Sequence, residues 1–243
     1  MKTLSTLLQK FYDGTKKFVP LIDPDKYTPA GIARIGKLAE KAKVPFLFYG
    51  GSLLTTGNHE KYIGILKEEC SSPVVLFPGN NLQINNKADG LLLLSLISGR
   101  NPEMLIGRHV VAAPLLKASG LEILPTGYLL IDSRKPTAVS YMSHSIPIPS
   151  DQADIAACTA LAGEMLGLKL IYLDAGSGAS APVPARVIGK VKEFIHTPLI
   201  VGGGLRSVQQ VRKAFKDGAD VVVVGNALEK DPGLLLQLAA CAG

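Results

Sequence analysis

The chain has 243 residues, 47% of them apolar, and a formal charge of +6 from 26 basic and 20 acidic side chains. That length suits one large domain of α/β-barrel size, and the longest greasy stretch, around Gly90–Ile97, is far too short to cross a bilayer. No basic run with interleaved aromatics marks a nucleic-acid binder; the modest positive charge suits anionic small molecules, an anionic membrane face touched peripherally, or solubility alone.

Met1–Lys10 lacks the continuous apolar run of a signal peptide. Instead Leu4, Leu7, Leu8 and Phe11 recur at helical spacing, which predicts a short amphipathic helix capping one end of the core. Phe18–Asp23 reads as a first strand closed by Asp23-Pro24-Asp25-Lys26. Pro29–Lys43 reads as a helix, with Thr28 as N-cap and Pro29 at the first helical position. Pro45–Tyr49 is the second strand, ending in Gly50-Gly51-Ser52, and a helix over about Asn58–Cys70 leads to a third strand, Val74–Phe77.

The alternation then breaks. Pro78–Asp89, polar and short, is barely enough for a crossover helix and predicts an extended or irregular connection to the strand Gly90–Ser95. Pro102 opens a helix to about Lys117. Tyr128–Asp132 is taken as the fifth strand with Leu121–Leu124 as lead-in, and Ser133–Ser150 as a long polar connection of the kind that covers active sites. A helix over Asp151–Leu166 stops at Gly167, a natural C-cap. Strands at Leu170–Asp174, Leu199–Gly204 and Val221–Asn226 follow, with helices over about Val183–Phe194, Ser207–Lys216 and Asp231–Ala240. Eight continuous apolar strands alternating with helices predict a single (β/α)₈ barrel spanning 1–243, with its third helix replaced by an irregular segment.

Chemistry in such barrels gathers at the C-terminal strand ends, and phosphate commonly sits above strands seven and eight. That rule selects Asp23, Ser52, Asp174, Gly202–Gly204, Gly225 and Asn226. Three glycine junctions in the last third suggest bare backbone amides gathered around an anion, although tight turns alone also favour glycine. Asp174 either accepts a proton from a nearby hydroxyl or caps its glycine turn. Asp23 and Ser52 offer hard oxygens suited to Mg²⁺ held partly by substrate, but Asp before Pro is also a common turn former. Lys26, Arg100 and Arg206 lie near expected strand ends and could neutralise an anion or remain solvated. The four histidines show no ligand spacing. Cys70, Cys158 and Cys241 match neither a zinc pattern nor a disulfide framework, which predicts a reducing, cytoplasmic setting.

Taken together, Leu-Ile-Asp23-Pro-Asp-Lys26, Gly-Gly-Ser52, Ser-Leu-Ile-Ser-Gly-Arg-Asn-Pro102, Tyr172-Leu-Asp-Ala-Gly-Ser-Gly-Ala179, Val-Gly-Gly-Gly204 and Val-Gly-Asn226 resemble the geranylgeranylglyceryl phosphate synthases and their heptaprenyl relatives. The likeness covers essentially the whole chain and is strongest to the bacterial branch that resembles the archaeal enzymes. It implies a barrel whose third helix is replaced by an extended segment. It further implies that sn-glycerol 1-phosphate binds through Tyr172, Leu173, Asp174, Ala175, Gly176, Ser177, Gly178, Gly203, Gly204, Gly225 and Asn226. Mg²⁺ on Asp23 and Ser52 would hold the diphosphate of a polyprenyl donor, most simply geranylgeranyl diphosphate, and the protein would be a homo-oligomer, a dimer or larger. The family usually carries Glu where this chain has Asp174; the shorter carboxylate would reach the glycerol hydroxyls directly or through water. The implied reaction is Mg²⁺-dependent prenyl transfer to the 3-hydroxyl of glycerol phosphate, with Asp174 orienting that hydroxyl. Two other readings compete: a sugar-phosphate isomerase with Asp23 and Asp174 as its acid/base pair, and a non-catalytic binder of a phosphate ligand.

Overall fold

Short runs of Val, Ile, Leu and Phe, most of them followed by glycine or proline turns, can bury both faces only by pairing in parallel inside a shell of helices. In the computed structural model, which describes residues 5–55 and 57–242, they do so as β1 (Lys17–Ile22), β2 (Leu47–Tyr49), β3 (Val74–Leu76), β4 (Gly90–Ser95), β5 (Glu122–Leu130), β6 (Leu170–Asp174), β7 (Leu199–Gly202) and β8 (Val221–Val224). Each strand pairs in parallel with the next, and β8 returns to β1 to close the barrel. All C-terminal strand ends therefore share one face, which brings Asp23, Ser52, Asp174 and the glycine junctions to a common mouth.

The helices are α1 (Thr6–Phe11), α2 (Pro29–Ala42), α3 (His59–Glu69), α4 (Arg108–Ser119), α5 (Ala138–Ser143), α6 (Ala153–Met165), α7 (Ala185–Phe194), α8 (Val208–Lys216), α9 (Asn226–Lys230) and α10 (Leu234–Ala239). Thr28 caps α2 as expected, its hydroxyl accepting from Gly31 N–H at 3.2 Å, an interaction worth about 1 kcal/mol. Ser207 likewise caps α8, and Gly167 follows α6 with φ 88°. The period-2 alternation of the strands divides the core in two. Val19, Phe48, Val75, Leu92, Leu124, Leu170, Ile200 and Val223 fill the bore, while residues such as Leu47, Leu129, Ile171, Leu173, Val201 and Val222 pack outward against the helices. The floor of the bore is closed by α1: Leu7, Leu8 and Phe11 are buried there, and Phe11 stacks on Phe46 with ring centroids 4.5 Å apart. Glu122, at the start of β5, accepts from the amides of Leu7 and Leu8 at 2.9 and 2.8 Å and so holds the exposed N–H groups of that first turn. Leu4, expected in the same helix, lies outside the described residues.

Between β3 and β4 there is no α-helix, only a single 3₁₀ turn over Asn81–Gln83. The segment is held by Gln83, whose buried side-chain amide donates to Gly51 O at 2.9 Å and accepts from Gly79 N–H at 3.1 Å. That ties the connection to the turn carrying Ser52.

Three expectations need correction. The fifth strand runs from Glu122 to Leu130 without a break and leaves Asp132 outside it. Pro125 interrupts nothing, because it pairs with Leu93 in the parallel ladder and its carbonyl still accepts from Lys169 N–H at 2.8 Å. The segment after Pro102 opens as a π-helix, Glu103–Gly107, before α4 begins. The connection 133–150 contains α5, whose Thr137 and Ser140 form a reciprocal capping box. The outer face of α4 and its lead-in exposes Ile106, Val110, Val111 and Leu115, each more than half accessible. Among the described residues no helix is long and apolar enough to cross a membrane.

Candidate active site

Above β7 and β8 the backbone turns several unbonded amides toward the mouth, a geometry that could receive an anion. Gly203 and Gly204 have φ of 79° and 71°, left-handed values that open the chain away from the barrel. No backbone carbonyl among the described residues accepts from the amides of Gly203, Gly204 or Gly225, and the amide of Asn226, first in α9, has no intrahelical acceptor by position. These bare N–H groups are the feature that the glycine junctions foretold. The glycines have a second reason that sequence did not reveal. A Cβ on Gly203 would collide with Asp174 Oδ1 and stand 2.7 Å from the amide nitrogens of Ala175 and Gly176; one on Gly204 would stand 2.6 Å from Ala181 O. The run lets the β6 and β7 loops lie backbone against backbone.

The β6 loop is itself tightly bonded. Ala175 N–H donates to Gly202 O at 3.1 Å, and Gly176 N–H to Asp174 Oδ1 at 2.7 Å. Gly178 N–H and the Ser177 hydroxyl donate to Asn226 Oδ1 at 3.2 and 3.4 Å. Ser177, Gly178 and Asn226 are exposed at the mouth, whereas Leu173 and Ala175 are buried; Leu173 and Ala175 pack outward in the helix-facing core, so of these two only the Ala175 backbone is close to the site. Arg206 donates to Ala179 O at 2.5 Å and braces this loop from outside. Arg100 donates to Gly99 O at 2.8 Å, within its own turn.

Asp174 is the one buried carboxylate at this mouth, 6% exposed at the end of β6. The Tyr128 hydroxyl donates to its Oδ2, and burial, outweighing that bond and the one from Gly176, pushes its pKa above the ordinary aspartate value. Burial and the nearby carboxylate together push the hydroxyls of Tyr128 and Tyr172 well up, so both remain protonated donors. Tyr128 and Tyr172 are register partners on β5 and β6 and point into the bore. With Phe77 they form an aromatic trio, the centroids 5.3 Å apart for Phe77–Tyr172, 5.5 Å for Tyr128–Tyr172 and 6.1 Å for Phe77–Tyr128. Sequence reading passed over Phe77 and Tyr128. Asp174 was legible as the residue that ends an apolar strand and Tyr172 only through the family resemblance, whereas Tyr128 needed the β5–β6 register.

On the other side of the mouth, Asp23 follows β1 and caps the 3₁₀ turn Pro24–Lys26, its Oδ1 accepting from Asp25 N–H at 3.1 Å. Burial is the largest influence on it and raises its pKa, the Asp25 amide and Lys26 opposing. The Cα of Gly51 packs against this carboxylate so closely that a Cβ would stand 3.3 Å from Oδ2. Ser52 is the next residue in this turn, whose Gly51 carbonyl is held by Gln83. The donor set suits a hard cation only in part: among the described residues no group of three His, Cys, Asp or Glu side chains could hold a metal. An ion at Asp23 and Ser52 would need oxygens from a substrate, the usual condition for Mg²⁺. Glu229 on α9 stands nearby, and its carboxylate accepts from Asn226 Nδ2 at 3.1 Å. Burial raises its pKa, and the negative Asp23 adds to that rise.

A cavity of about 230 Å³ leads from Ser52 and Tyr128 into the flank of the barrel. Its walls are Phe77, Leu92, Leu94, Met104, Ala112, Leu116, Val139 and Met142, from β4, the helix-free segment, α4 and α5. Of the neighbouring strands only β4 lines it directly; β2 and β3 contribute just the residues that follow them, Gly51 and Ser52 after the one and Phe77 after the other. The space exists because no third helix fills it.

The PcrB family model matches residues 13–241. A geranylgeranylglyceryl phosphate synthase of Spirosoma linguale is 53% identical over 96% of this chain and 94% of its own length; the corresponding synthase of Thermococcus kodakarensis is 38% identical over 93% and 90%. The crystal structure of (S)-3-O-geranylgeranylglyceryl phosphate synthase from Thermoplasma acidophilum, in complex with its substrate sn-glycerol-1-phosphate, superposes with a TM-score of 0.91 at 32% identity and covers 99% of both chains. A family model that matches almost the whole chain, and relatives this similar over nearly their full length, show that the chain belongs to the PcrB family.

Proposed function

We propose that the protein is a prenyltransferase that joins sn-glycerol 1-phosphate to a polyprenyl diphosphate through an ether bond. One observation carries the reading: a single barrel mouth has an anion cradle on its β7–β8 side and an apolar cavity on its β3–β4 side, with Asp174 and three aromatic rings between them. A sugar-phosphate isomerase needs no hydrocarbon pocket, and a simple phosphate binder needs no buried carboxylate facing one.

In this reading the amides of Gly203, Gly204, Gly225 and Asn226 hold the phosphoryl group, with help from the Ser177 hydroxyl. Asp174, held in place by Tyr128 and Gly176, has lone pairs left for the glycerol hydroxyls. The 3-hydroxyl oxygen attacks the allylic carbon, the bond from that carbon to the diphosphate oxygen breaks with its electron pair leaving on diphosphate, and the hydroxyl proton passes to the Asp174 carboxylate. The faces of Phe77, Tyr128 and Tyr172 are suited to the positive charge that gathers on the allylic carbon. Asp23 and Ser52 would hold Mg²⁺, which when bound neutralises charge on the departing diphosphate. The cavity would take the hydrocarbon tail. The exposed apolar residues of α4 and its lead-in support self-association into a homo-oligomer.

The test is incubation with Mg²⁺, sn-glycerol 1-phosphate and a ladder of prenyl diphosphates from farnesyl upward, followed by mass analysis of the lipid fraction. An ether-linked prenylglyceryl phosphate, lost on chelation, is the expected product. Binding of glycerol phosphate with no ether from any donor would overturn the proposal in favour of a phosphate-ligand binder.

A further inference from the structure

Asn226 has a side-chain amide whose two ends face different partners. Its Oδ1 accepts from Gly178 N–H at 3.2 Å and from the Ser177 hydroxyl at 3.4 Å, while its Nδ2 donates to Glu229 Oε1 at 3.1 Å. The orientation of a primary amide is set by its strongest fixed partner, and Glu229 can only accept when ionised. The carboxylate therefore forces Nδ2 outward from the β6 loop and Oδ1 toward it. If the amide turned over, Nδ2 would meet Gly178 N–H, a donor against a donor.

A half-buried carboxylate this close to an anion site is unfavourable unless it acts there. Its surroundings heighten the conflict, since Asp23 is a second negative group nearby and Lys26 and Lys230 are the opposing cations. The Tyr27 hydroxyl, buried and without a hydrogen-bond partner among the described residues, also feels both acids.

We infer that Glu229 is a positioning residue for the phosphate-bearing substrate: by holding Asn226 in one orientation it keeps the Ser177–Gly178 turn drawn over the cradle. The inference rests on the reading of Asn226 as part of that cradle. In consequence the Asn226 side chain is a strut and only its backbone N–H faces the phosphoryl oxygens.

Calorimetric titration of sn-glycerol 1-phosphate into wild type, Glu229→Ala, Glu229→Gln, Asn226→Ala and the Asn226→Ala/Glu229→Ala double variant tests this. Glu229→Ala should weaken binding about tenfold or more, the scale for losing one hydrogen bond to a charged group. Glu229→Gln, whose Oε1 can accept the same bond, should restore affinity to within about threefold of wild type. In the Asn226→Ala background removal of Glu229 should cause no further loss, because its favourable effect passes through that amide, and the loss of a negative charge should if anything tighten binding. The KM for the prenyl donor should be unmoved in Glu229→Ala. Glu229→Asp keeps the charge but withdraws the oxygen, and it should lose affinity as Ala does; it serves if the alanine variant fails to fold. Wild-type affinity in Glu229→Ala or Glu229→Asp, a full additive loss in the double variant, or an equal rise in donor KM would overturn the inference. Wild type that binds glycerol phosphate but forms no ether would refute prenyl transfer and leave these affinity comparisons decisive for Glu229.

Discussion

Gly203 and Gly178 both have left-handed backbone, with φ of 79° and 72°, yet their surroundings differ. Nothing lies within 4 Å of a Cβ built on Gly178, whereas one built on Gly203 strikes Asp174 Oδ1 and stands 2.7 Å from two backbone nitrogens. Gly178→Ala should therefore show the conformational penalty alone, roughly 1–2 kcal/mol, partly offset by about 0.4–1 kcal/mol from a less flexible unfolded chain. Gly203→Ala carries the same penalty plus an overpacking loss of about 1–3 kcal/mol, because behind the Asp174 side chain stand two backbone nitrogens that cannot rotate aside. Urea unfolding of the two variants should separate them by about 1–3 kcal/mol, and thermal unfolding by roughly 2–12 °C in midpoint at the 2–4 °C per kcal/mol usual for a chain of this size. Because the displaced group is the Asp174 carboxylate, Gly203→Ala should also lose most of its turnover. Equal unfolding midpoints for the two variants would refute the idea that the glycine run exists for the close approach of the β6 and β7 loops.

Four more outcomes follow from the site. Asp174→Ala should fold and lose turnover by about 100-fold or more; a near-native kcat would remove the carboxylate from the chemistry. The rate should fall on acidification through a pKa above the ordinary aspartate value of about 3.9, since burial raises it and protonation removes the acceptor. The Tyr128 bond favours the ionised form, so Tyr128→Phe should move that acid limb to higher pH, and a limb that stays put or moves down would contradict the assigned geometry. Filling the flank cavity with Ala112→Phe should raise the KM of long donors before that of short ones and leave glycerol phosphate affinity unchanged; equal effects on every donor length would show that the tail lies elsewhere.

Most of the scaffold was legible because parallel strands advertise themselves. Gly90–Ser95 has the bounds read from its apolar run, and Thr28, Ser207 and Gly167 mark helix ends by chemistry that depends on local sequence alone. The fifth strand was misplaced because Pro125 and Gly127 look like breakers, and only the ladder with β4 and β6 shows that neither interrupts pairing. The π-helix at Glu103–Gly107 has no local signature, since its wider turn is imposed by neighbours. At the site, glycine junctions and terminal carboxylates could be found from spacing. Tyr128, Phe77 and Glu229 could not, because their roles arise from register and from contacts between residues such as Asn226 and Gly178, 48 positions apart.

Under the proposed prenyl transfer, the helix-free stretch between β3 and β4 would also decide how the molecule is measured against its cargo. Where an unbroken ring of helices would make the barrel a closed cup, sized by its own diameter, this one has a side window, and on the proposed reading a chain entering it would lie against the inner face of α4, at Ala112 and Leu116, instead of ending against a floor. The plug beneath, built by α1, shuts the alternative exit. Growth or shrinkage of the window's frame would thus retune which hydrocarbons are accepted while the phosphate end stays untouched, so the two halves of the ligand set can evolve on separate schedules.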